Sequence, residues 1–582
     1  MLRLPFVLFW NTVSALVFSL KWFFFRLGRF LSRSRPRWVH WKVPAHQPFG
    51  PSRGLAALAQ NTLSFLEVRE QLQNLCKDPG VHGVVITADG LSAGAAHTAD
   101  LVALLRQLRD SGKTILYHAH SLTDREYQLA IEADQILLTP GGRAYLFGLR
   151  MEHYFAASLL ERLGIAVQFV HIGAFKTAMH RFIHDESTRA QRLSMEQLLT
   201  DLSTLQEEAI QEHRGLKQED LNTLVARMPL DDHEALFRNV IDARWPRRKL
   251  TEWIAAGHRP PDAPDPTTEE IRAAAEKVII QTLTQHQRSV PRYRWSPLFF
   301  GERNVAIMDL SGTIVMPDME IPGSSAATID PREVLPVLRA LKQSPRTRAV
   351  VLHINSPGGS ALASEILWEG ISELAESKPV IAYCSDVAAS GGYYMAVAAH
   401  GIICQPRTIT GSIGVIAGKF SAPGVLETLG LGHESLERHE SSHFMSLTEP
   451  LSDAVLDNLH RDARSFYRQF LRRVGQARHL PKRRLHRFAR GRVYTGVDAQ
   501  HRGLVDELGS LEDALAMAKK AANLPEDAPV HFASHRKVQL SALLRQRAAS
   551  ALLPDSASRL HLIYAIARKD PLLALLPVEF RG

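Results

Sequence analysis

The chain repeats itself at a fixed distance. Gly83-Val-Val-Ile86 returns as Ala349-Val-Val-Leu352, and the run Ile131 to Pro140 returns as Val397 to Pro406. Leu160-Glu-Arg-Leu-Gly-Ile165 returns as Leu426-Glu-Thr-Leu-Gly-Leu431, and every pair stands 266 residues apart with no gap. One offset held over all three pairs requires that whatever fold the first copy has, the second shares it. A length of 582 residues gives room for two or three domains with ample core. The shared offset also serves as a ruler that carries any position of one copy onto the other.

Composition narrows the partners. The net charge of +9 comes from residues 1–66, which hold Arg3, Lys21, Arg26, Arg29, Arg33, Arg35, Arg37, Lys42 and Arg53 and no acid. Without those nine, basic and acidic residues balance at 60 each, so the body has no field for nucleic acid, and none is expected as a partner. Three cysteines (Cys76, Cys384 and Cys404) lack metal-ligand spacing and read as core residues. From Leu4 to Leu20 the residues are nearly all apolar, and Trp22 to Phe25 extend the run past Lys21. This predicts a membrane-anchoring helix; an interfacial helix lying flat is the competing reading. Basic residues follow the apolar stretch, which by the positive-inside rule puts the body in the cytoplasm.

The chemistry concentrates in the second copy. Val380 to Cys384 is a β-branched apolar run of strand length, followed by Asp386-Val-Ala-Ala-Ser390-Gly391-Gly392 and a small-residue helix from Tyr393 to Ala399. A serine at such a strand-to-helix turn, with glycine N–H groups beside it, is how acyl-transfer enzymes build a nucleophile and half of an oxyanion hole. A Gly-Ser turn that merely lets a helix pack closely is the plainer alternative. One strand earlier, Ala349 to Ile354 runs into Asn355-Ser-Pro-Gly358-Gly359-Ser360, whose glycine N–H groups can point at an anionic oxygen. Two neighbouring strands ending in such loops at one sheet edge make a site by the usual α/β rule.

Four blocks carry a family resemblance: Asn355-Ser-Pro-Gly-Gly-Ser, Ala388-Ala-Ser-Gly-Gly-Tyr, Thr410-Gly-Ser-Ile-Gly-Val and Gly491-Arg-Val-Tyr-Thr-Gly. In that order, over two repeats, the chain resembles the signal peptide peptidase A (SppA) family, long two-repeat type. These are membrane-bound Ser/Lys peptidases of peptidase family S49, in the ClpP/crotonase-like superfamily. The resemblance implies an α/β fold of two tandem ClpP/crotonase-like repeats behind an N-terminal membrane-anchoring helix. It also implies a homotetramer, peptide substrates such as signal peptide remnants, no cofactor or metal, and a bacterial inner-membrane location with the body in the periplasm. On side, it conflicts with the charge bias.

The ruler then divides the labour. Ser390 maps onto Asp124 and Gly358-Gly359 onto Ser92-Ala93, so the first copy lacks nucleophile and oxyanion glycines. Yet Gly173-Ala-Phe-Lys176-Thr-Ala-Met resembles the family's general-base block, and Lys176 maps onto Ser442. The expectation is a dyad split between copies, with Ser390 as nucleophile and Lys176 as general base. By resemblance Ser412 orients the lysine, and the oxyanion donors are the N–H groups of Gly358, Gly359 and Gly391. The base must be neutral, so burial has to lower its pKa; no acid lies between Ile172 and Met179, which permits this. A lysine head in solvent and a turn serine remain the plain alternatives for Lys176 and Ser412.

The domains expected are an anchor and basic segment over 1–45, a degenerate first repeat over 46–257 and a linker with a bridging helix over 258–300. A second repeat over 301–530 and a tail over 531–582 follow. Helices are expected at Ser194–Glu212, Thr267–Arg288 and Leu451–Arg478, and no function is read from the tail's apolar runs, Leu572–Leu576 among them. Two motifs are decoys. His439-Glu440-Ser-Ser-His443 fits a zinc pattern, but the ruler sets it opposite the Lys176 segment. Gly414 to Lys419 is one residue short of a phosphate loop and has Phe420 where Ser or Thr must bind magnesium. A crotonase-type acyl enzyme or a non-catalytic membrane scaffold of the same fold are the rival functions.

Overall fold

A strand buried on both faces needs apolar residues at every position, and the runs that repeat form such strands. A computed structural model describes residues 3–31, 35–51, 62–88, 90–257, 267–291, 302–316, 327–534 and 572–575. The chain divides into two compact units. The first comprises Met1–Ser52, Gln60–Gly148 and Ser203–Glu302, and the second comprises Arg53–Ala59, Leu149–Leu202 and Arg303–Gly582. Leu149–Leu202, part of the first copy by sequence, therefore belongs to the second unit.

In the first unit, β1 (Arg37–Val43), β2 (Gly83–Ala88), β3 (Thr114–Thr123) and β4 (Gln135–Tyr145) form a parallel sheet in the order β4-β3-β2-β1. β2 is buried at all positions. Helix Phe65–Cys76 leads into it, started by Ser64 and Glu67, whose side chains each accept the other's backbone N–H. β5 (Ala166–Ile172) belongs to the second unit. Back in the first, β6 (Leu230–Asp231) is antiparallel to β4, β7 (Ala243–Arg244) is parallel to β4, and β8 (Ile279–Thr282) is parallel to β1.

β8 corrects one expectation. Thr267–Arg288 is not a single helix but two, Thr268–Ala275 and Leu283–Ser289, with β8 between them. The β-branched Val278-Ile279-Ile280 finds an open sheet edge at β1, and that pairing outweighs helical periodicity. Thr282 then caps the second helix by accepting from Gln285 N. The N-terminal stretch forms a helix, Arg3–Leu31. Among the described residues, however, no helix is long and apolar enough to cross a membrane. Asn11, Thr12, Ser14 and Lys21 interrupt the apolar run. The linker 258–266 lies outside the described residues.

The second unit builds two sheets. Its strands are β9 (Asn304–Ser311), β10 (Thr313–Ile314), β11 (Thr328–Ile329), β12 (Thr347–Ser356), β13 (Gly358–Ser360), β14 (Val380–Ala389) and β15 (Gly401–Cys404). β16 (Ile409–Gly411), β17 (Val415–Ser421), β18 (Val493–Thr495), β19 (Glu507–Leu508), β20 (Val530–Ala533) and β21 (Leu572–Leu575) complete the set. The larger sheet runs β18-β16-β14-β12-β9-β20, with β15 also on β14 and β19 on β15; it is parallel except at β16–β18. The other runs β11-β10-β13-β21-β17-β5. The duplication is visible in the element bounds: β3 and β14 start and end 266 residues apart, and the helices after them end on Ala130 and Ala396.

Helix Asp453–Ala477 closes the second unit's core, burying Val455, Leu459, Ala463, Phe466, Phe470 and Val474 along one face. The Phe470 and Phe466 rings lie 4.7 Å and 5.6 Å from that of Tyr394, which stands one turn past Ser390. Phe470→Ala should therefore destabilise the second unit by about 3–5 kcal/mol through the cavity left against Tyr394. Arg468→Ala, on the exposed face, should change stability by less than about 0.5 kcal/mol. Denaturant unfolding of both variants, read by tryptophan fluorescence, checks the contrast.

Candidate functional site

Strand β14 runs past Cys384 to Ala389 and delivers Ser390 to the head of helix Gly391–Ala396. The junction is sharp: Ser390 adopts φ 58° and ψ −115°, a region that costs a non-glycine residue about 1–3 kcal/mol. Its N–H donates to Gly411 O at 2.8 Å, and its carbonyl accepts from Tyr394 N at 2.8 Å, so both sides of the residue are pinned. The side chain is wholly buried.

Lys176 arrives from the other copy's sequence. β5 pairs antiparallel with β17, in a register that sets Ile172 opposite Val415, and the turn after Ile172 carries Lys176 into the second unit's interior. Phe175 N donates to Arg490 O at 2.8 Å, and the Arg492 guanidinium lies 4.1 Å from the Phe175 ring centroid. Gly491, at φ +81°, sits directly beneath the lysine: a Cβ there would stand 2.6 Å from Lys176 Cα. Only glycine has both the backbone conformation and the missing atom that this seat demands.

The Lys176 Nζ reaches Ser390 Oγ at 2.6 Å, Ser412 Oγ at 2.8 Å and Ser412 O at 2.9 Å. Ser412 is itself fixed, its N–H donating to Arg492 O at 2.8 Å. The lysine is fully buried, and that burial alone pushes its pKa well below the ordinary value of 10.5. A solvent lysine and a loose turn serine are thus not what the structure contains: Lys176, Ser390 and Ser412 meet in one chain.

The glycine loops converge on the same place. Gly391 lies against Gly358, where a Cβ on Gly391 would fall 3.2 Å from Gly358 Cα. Gly391 opens its helix, so its N–H has no intrahelical partner. Gly359 lies on β13 opposite Ile314 of β10. The Gly358 N–H donates to Ser356 Oγ at 3.2 Å, which leaves Gly359 and Gly391 as the stronger candidates for an anionic oxygen. The seat made by Gly491 and Arg490 was not given a role from sequence. Its signal was there in the Gly491-Arg-Val-Tyr-Thr-Gly block, without a physical reason attached.

The first copy uses the equivalent position differently. The Asp124 carboxylate accepts from Phe147 N at 3.0 Å, Gly148 N at 3.2 Å and Gln206 Nε2 at 2.8 Å, clasping a loop, and burial raises its pKa. Ser442, the counterpart of Lys176, is exposed in the 3₁₀ turn Glu440–Met445. That turn also removes the α-helical frame a zinc pair at His439 and His443 needs; His443 Nδ1 instead lies 3.1 Å from Glu437 Oε2. The false phosphate loop is strand β17, with Lys419 Nζ donating to His443 O and Ser446 O, each at 2.9 Å.

Comparison with known proteins comes from two directions. Residues 107–258 and 372–525, together more than half the chain, match the family model for peptidase family S49. Serine protease SPPA, chloroplastic, of Arabidopsis thaliana is 29% identical over 498 residues, covering 85% of this chain and 69% of that one. Protease 4 of Salmonella typhi is 26% identical over 471 residues, 80% of this chain and 73% of its own. Protease 4 of Haemophilus influenzae is also 26% identical over 471 residues, 80% and 74% respectively.

If Ser390 owes its reactivity to a lysine held by Gly491, the two must fail together. Labelling of Ser390 by a fluorophosphonate should slow by roughly 10²-fold or more in both Lys176→Met and Gly491→Ala. Intact mass spectrometry of the adduct over time is the measurement. Wild-type labelling rates in Gly491→Ala would show that the seat is dispensable.

Proposed function

The chain belongs to peptidase family S49, and from that premise we propose that it is a serine endopeptidase working through a Ser390/Lys176 dyad. One observation carries the reading: the 2.6 Å approach of a wholly buried lysine amine to a strained serine hydroxyl. A neutral amine has two N–H donors and one lone pair. Its N–H groups serve the two Ser412 oxygens, at 2.8 and 2.9 Å, which leaves the lone pair for the Ser390 hydroxyl proton.

The steps follow from that count. Lys176 takes the proton as Ser390 Oγ attacks the scissile carbonyl, and the oxyanion settles against the N–H groups of Gly359 and Gly391, with Gly358 behind them. The lysine ammonium then gives its proton to the departing amine, leaving an acyl-Ser390. Water, deprotonated by the same amine, releases the acyl group and restores both side chains. Ser412 orients the amine throughout. Because both partners come from one chain, a homotetramer would enclose the sites rather than complete them.

Apolar extended peptides, signal peptide remnants among them, are the substrates this reading favours, since an enclosed site favours unfolded chain over folded protein. A crotonase-type acyl enzyme would use the same glycine loops but leaves the Lys176 contact without a task. The helix Arg3–Leu31 exposes Leu16, Leu20, Phe23 and Phe24 beside Lys21 and Arg26, and we assign it to attachment at a lipid surface.

Two tests follow. Lys176→Ala and Ser390→Ala should each cut kcat/KM on an apolar fluorogenic peptide by about 10³-fold or more, and a chelator should change nothing. The lysine acts only when neutral, so kcat/KM should rise with pH through the lysine's own titration. Burial moves that acid limb well below 10.5, and a limb at the ordinary lysine value would overturn the assignment. For the helix, flotation with anionic vesicles should show the Phe23→Glu/Phe24→Glu variant partitioning about tenfold less than wild type.

A further inference from the structure

The first unit has a cavity of about 1150 Å³ between helix Arg3–Leu31 and the amino ends of β1 and β2. That volume lies just above the span of about 300–1,000 Å³ usual for small-ligand sites. Reaction sites of open α/β sheets gather at the carboxyl ends of the strands, so this is a separate place in the fold. Its charge has one dominant sign. Arg26 comes from the helix, Arg35 and Arg37 from the entry to β1, and Lys77 from the end of helix Phe65–Cys76. Among the described lining residues the one carboxylate is Asp78, and it is engaged. Its Oδ1 accepts from Gly80 N at 2.9 Å, and its Oδ2 lies 3.0 Å from His286 Nε2. Four cations around one engaged acid favour an anion, and the planar fork of arginine suits a phosphate.

A second observation narrows the anion. Gln71 also lines the cavity and is only 3% exposed, yet among the described residues its Oε1 has no hydrogen-bond partner. A buried amide oxygen calls for a donor. An ionised phosphate diester has none to give, whereas a hydroxyl on the same ligand does. Gln71, Asn74 and Lys77 follow one another at three-residue spacing, so acceptor and cation reach the cavity together. The far wall sets the source of the phosphate. Trp22, Phe23 and Phe25 line it beside Arg26, whose guanidinium lies 4.5 Å from the Trp22 ring centroid. Trp22 and Phe23 are also exposed to the outside. Aromatic rings and arginine at one helix end are what a membrane interface selects, with polar headgroups beside them and acyl chains running off along the apolar face.

We propose that this cavity holds the headgroup of an anionic, hydroxyl-bearing phospholipid, its phosphate among Arg26, Arg35, Arg37 and Lys77 and its hydroxyl donating to Gln71 Oε1. The proposal rests on the assignment of helix Arg3–Leu31 to a lipid surface and goes further: the first unit selects which lipid it sits on. Binding involves no covalent step and no residue of the dyad, so it stands apart from the peptidase reading.

The test uses the full chain and flotation with phosphatidylcholine vesicles carrying an equal fraction of phosphatidylglycerol or of phosphatidylmethanol. The second lipid has the same charge and no headgroup hydroxyl. Wild type should partition about tenfold more into the phosphatidylglycerol vesicles, and Gln71→Leu should lose that preference. Arg35→Gln/Lys77→Gln should bind both vesicles about tenfold less. Arg143→Gln/Arg248→Gln removes the same charge at exposed positions outside the described lining and should partition as wild type does. Hydrogen exchange on the wild type needs no variant: amides 71–82 should slow with phosphatidylglycerol vesicles and not with phosphatidylmethanol vesicles. Equal partitioning of wild type into the two vesicles, or equal loss in the two double variants, would overturn the site while leaving a helix that attaches to lipid. No flotation with either vesicle would sink the helix assignment and the site with it. The same amides slowed by free glycerol phosphate, without vesicles, would give the cavity to a soluble phosphate ester and overturn the lipid.

Discussion

An amine stripped of water is the constraint around which the second unit is arranged. Lys176 is fully buried, and its Nζ has hydroxyl and carbonyl oxygens for company. Burial disfavours the charged form of such a group and moves its pKa well below 10.5. Holding it there demands close backbone support, which Gly491, Arg490 and Ser412 provide from two further loops. The strained Ser390 is the matching half: a turn that exposes Oγ to the amine at the expense of a poor φ, kept in place by Gly411 and Tyr394.

Duplication explains how one chain can afford two different copies. Strands β3 and β14 begin and end one offset apart, as expected where a buried parallel sheet tolerates little change in register. The turn after each strand is freer. In one copy it became Ser390; in the other, Asp124, whose carboxylate gathers three N–H groups and locks a loop. The same position holds a buried serine against an amine in one copy and a loop-clasping carboxylate in the other.

One sequence expectation was overturned, and for a tertiary reason. Thr267–Arg288 has helical periodicity, yet Val278 to Thr282 met an open edge at β1, and pairing there took precedence. The N-terminal run is helical as expected but, among the described residues, does not reach the apolarity of a spanning helix. The His439/His443 pattern, set aside as a decoy on sequence grounds, does lack the α-helix its meaning depends on, since the backbone there is a 3₁₀ turn. Leu572–Leu575 showed only an apolar run; its strand partners lie more than 150 residues away in β17 and farther still in β13.

By itself the sequence determined the repeat, the buried strands and the glycine loops, because those features are local or follow from one constant offset, and it singled out Ser390 and Lys176 as candidates. Only the tertiary structure decided that Leu149–Leu202 folds with the second unit, that Gly491 forms the lysine's seat, and that β21 fills the slot beside Gly359. These depend on which edges and cavities are left open once the strands have paired. Burial, which lowers the amine's pKa, exists only after everything around it has packed.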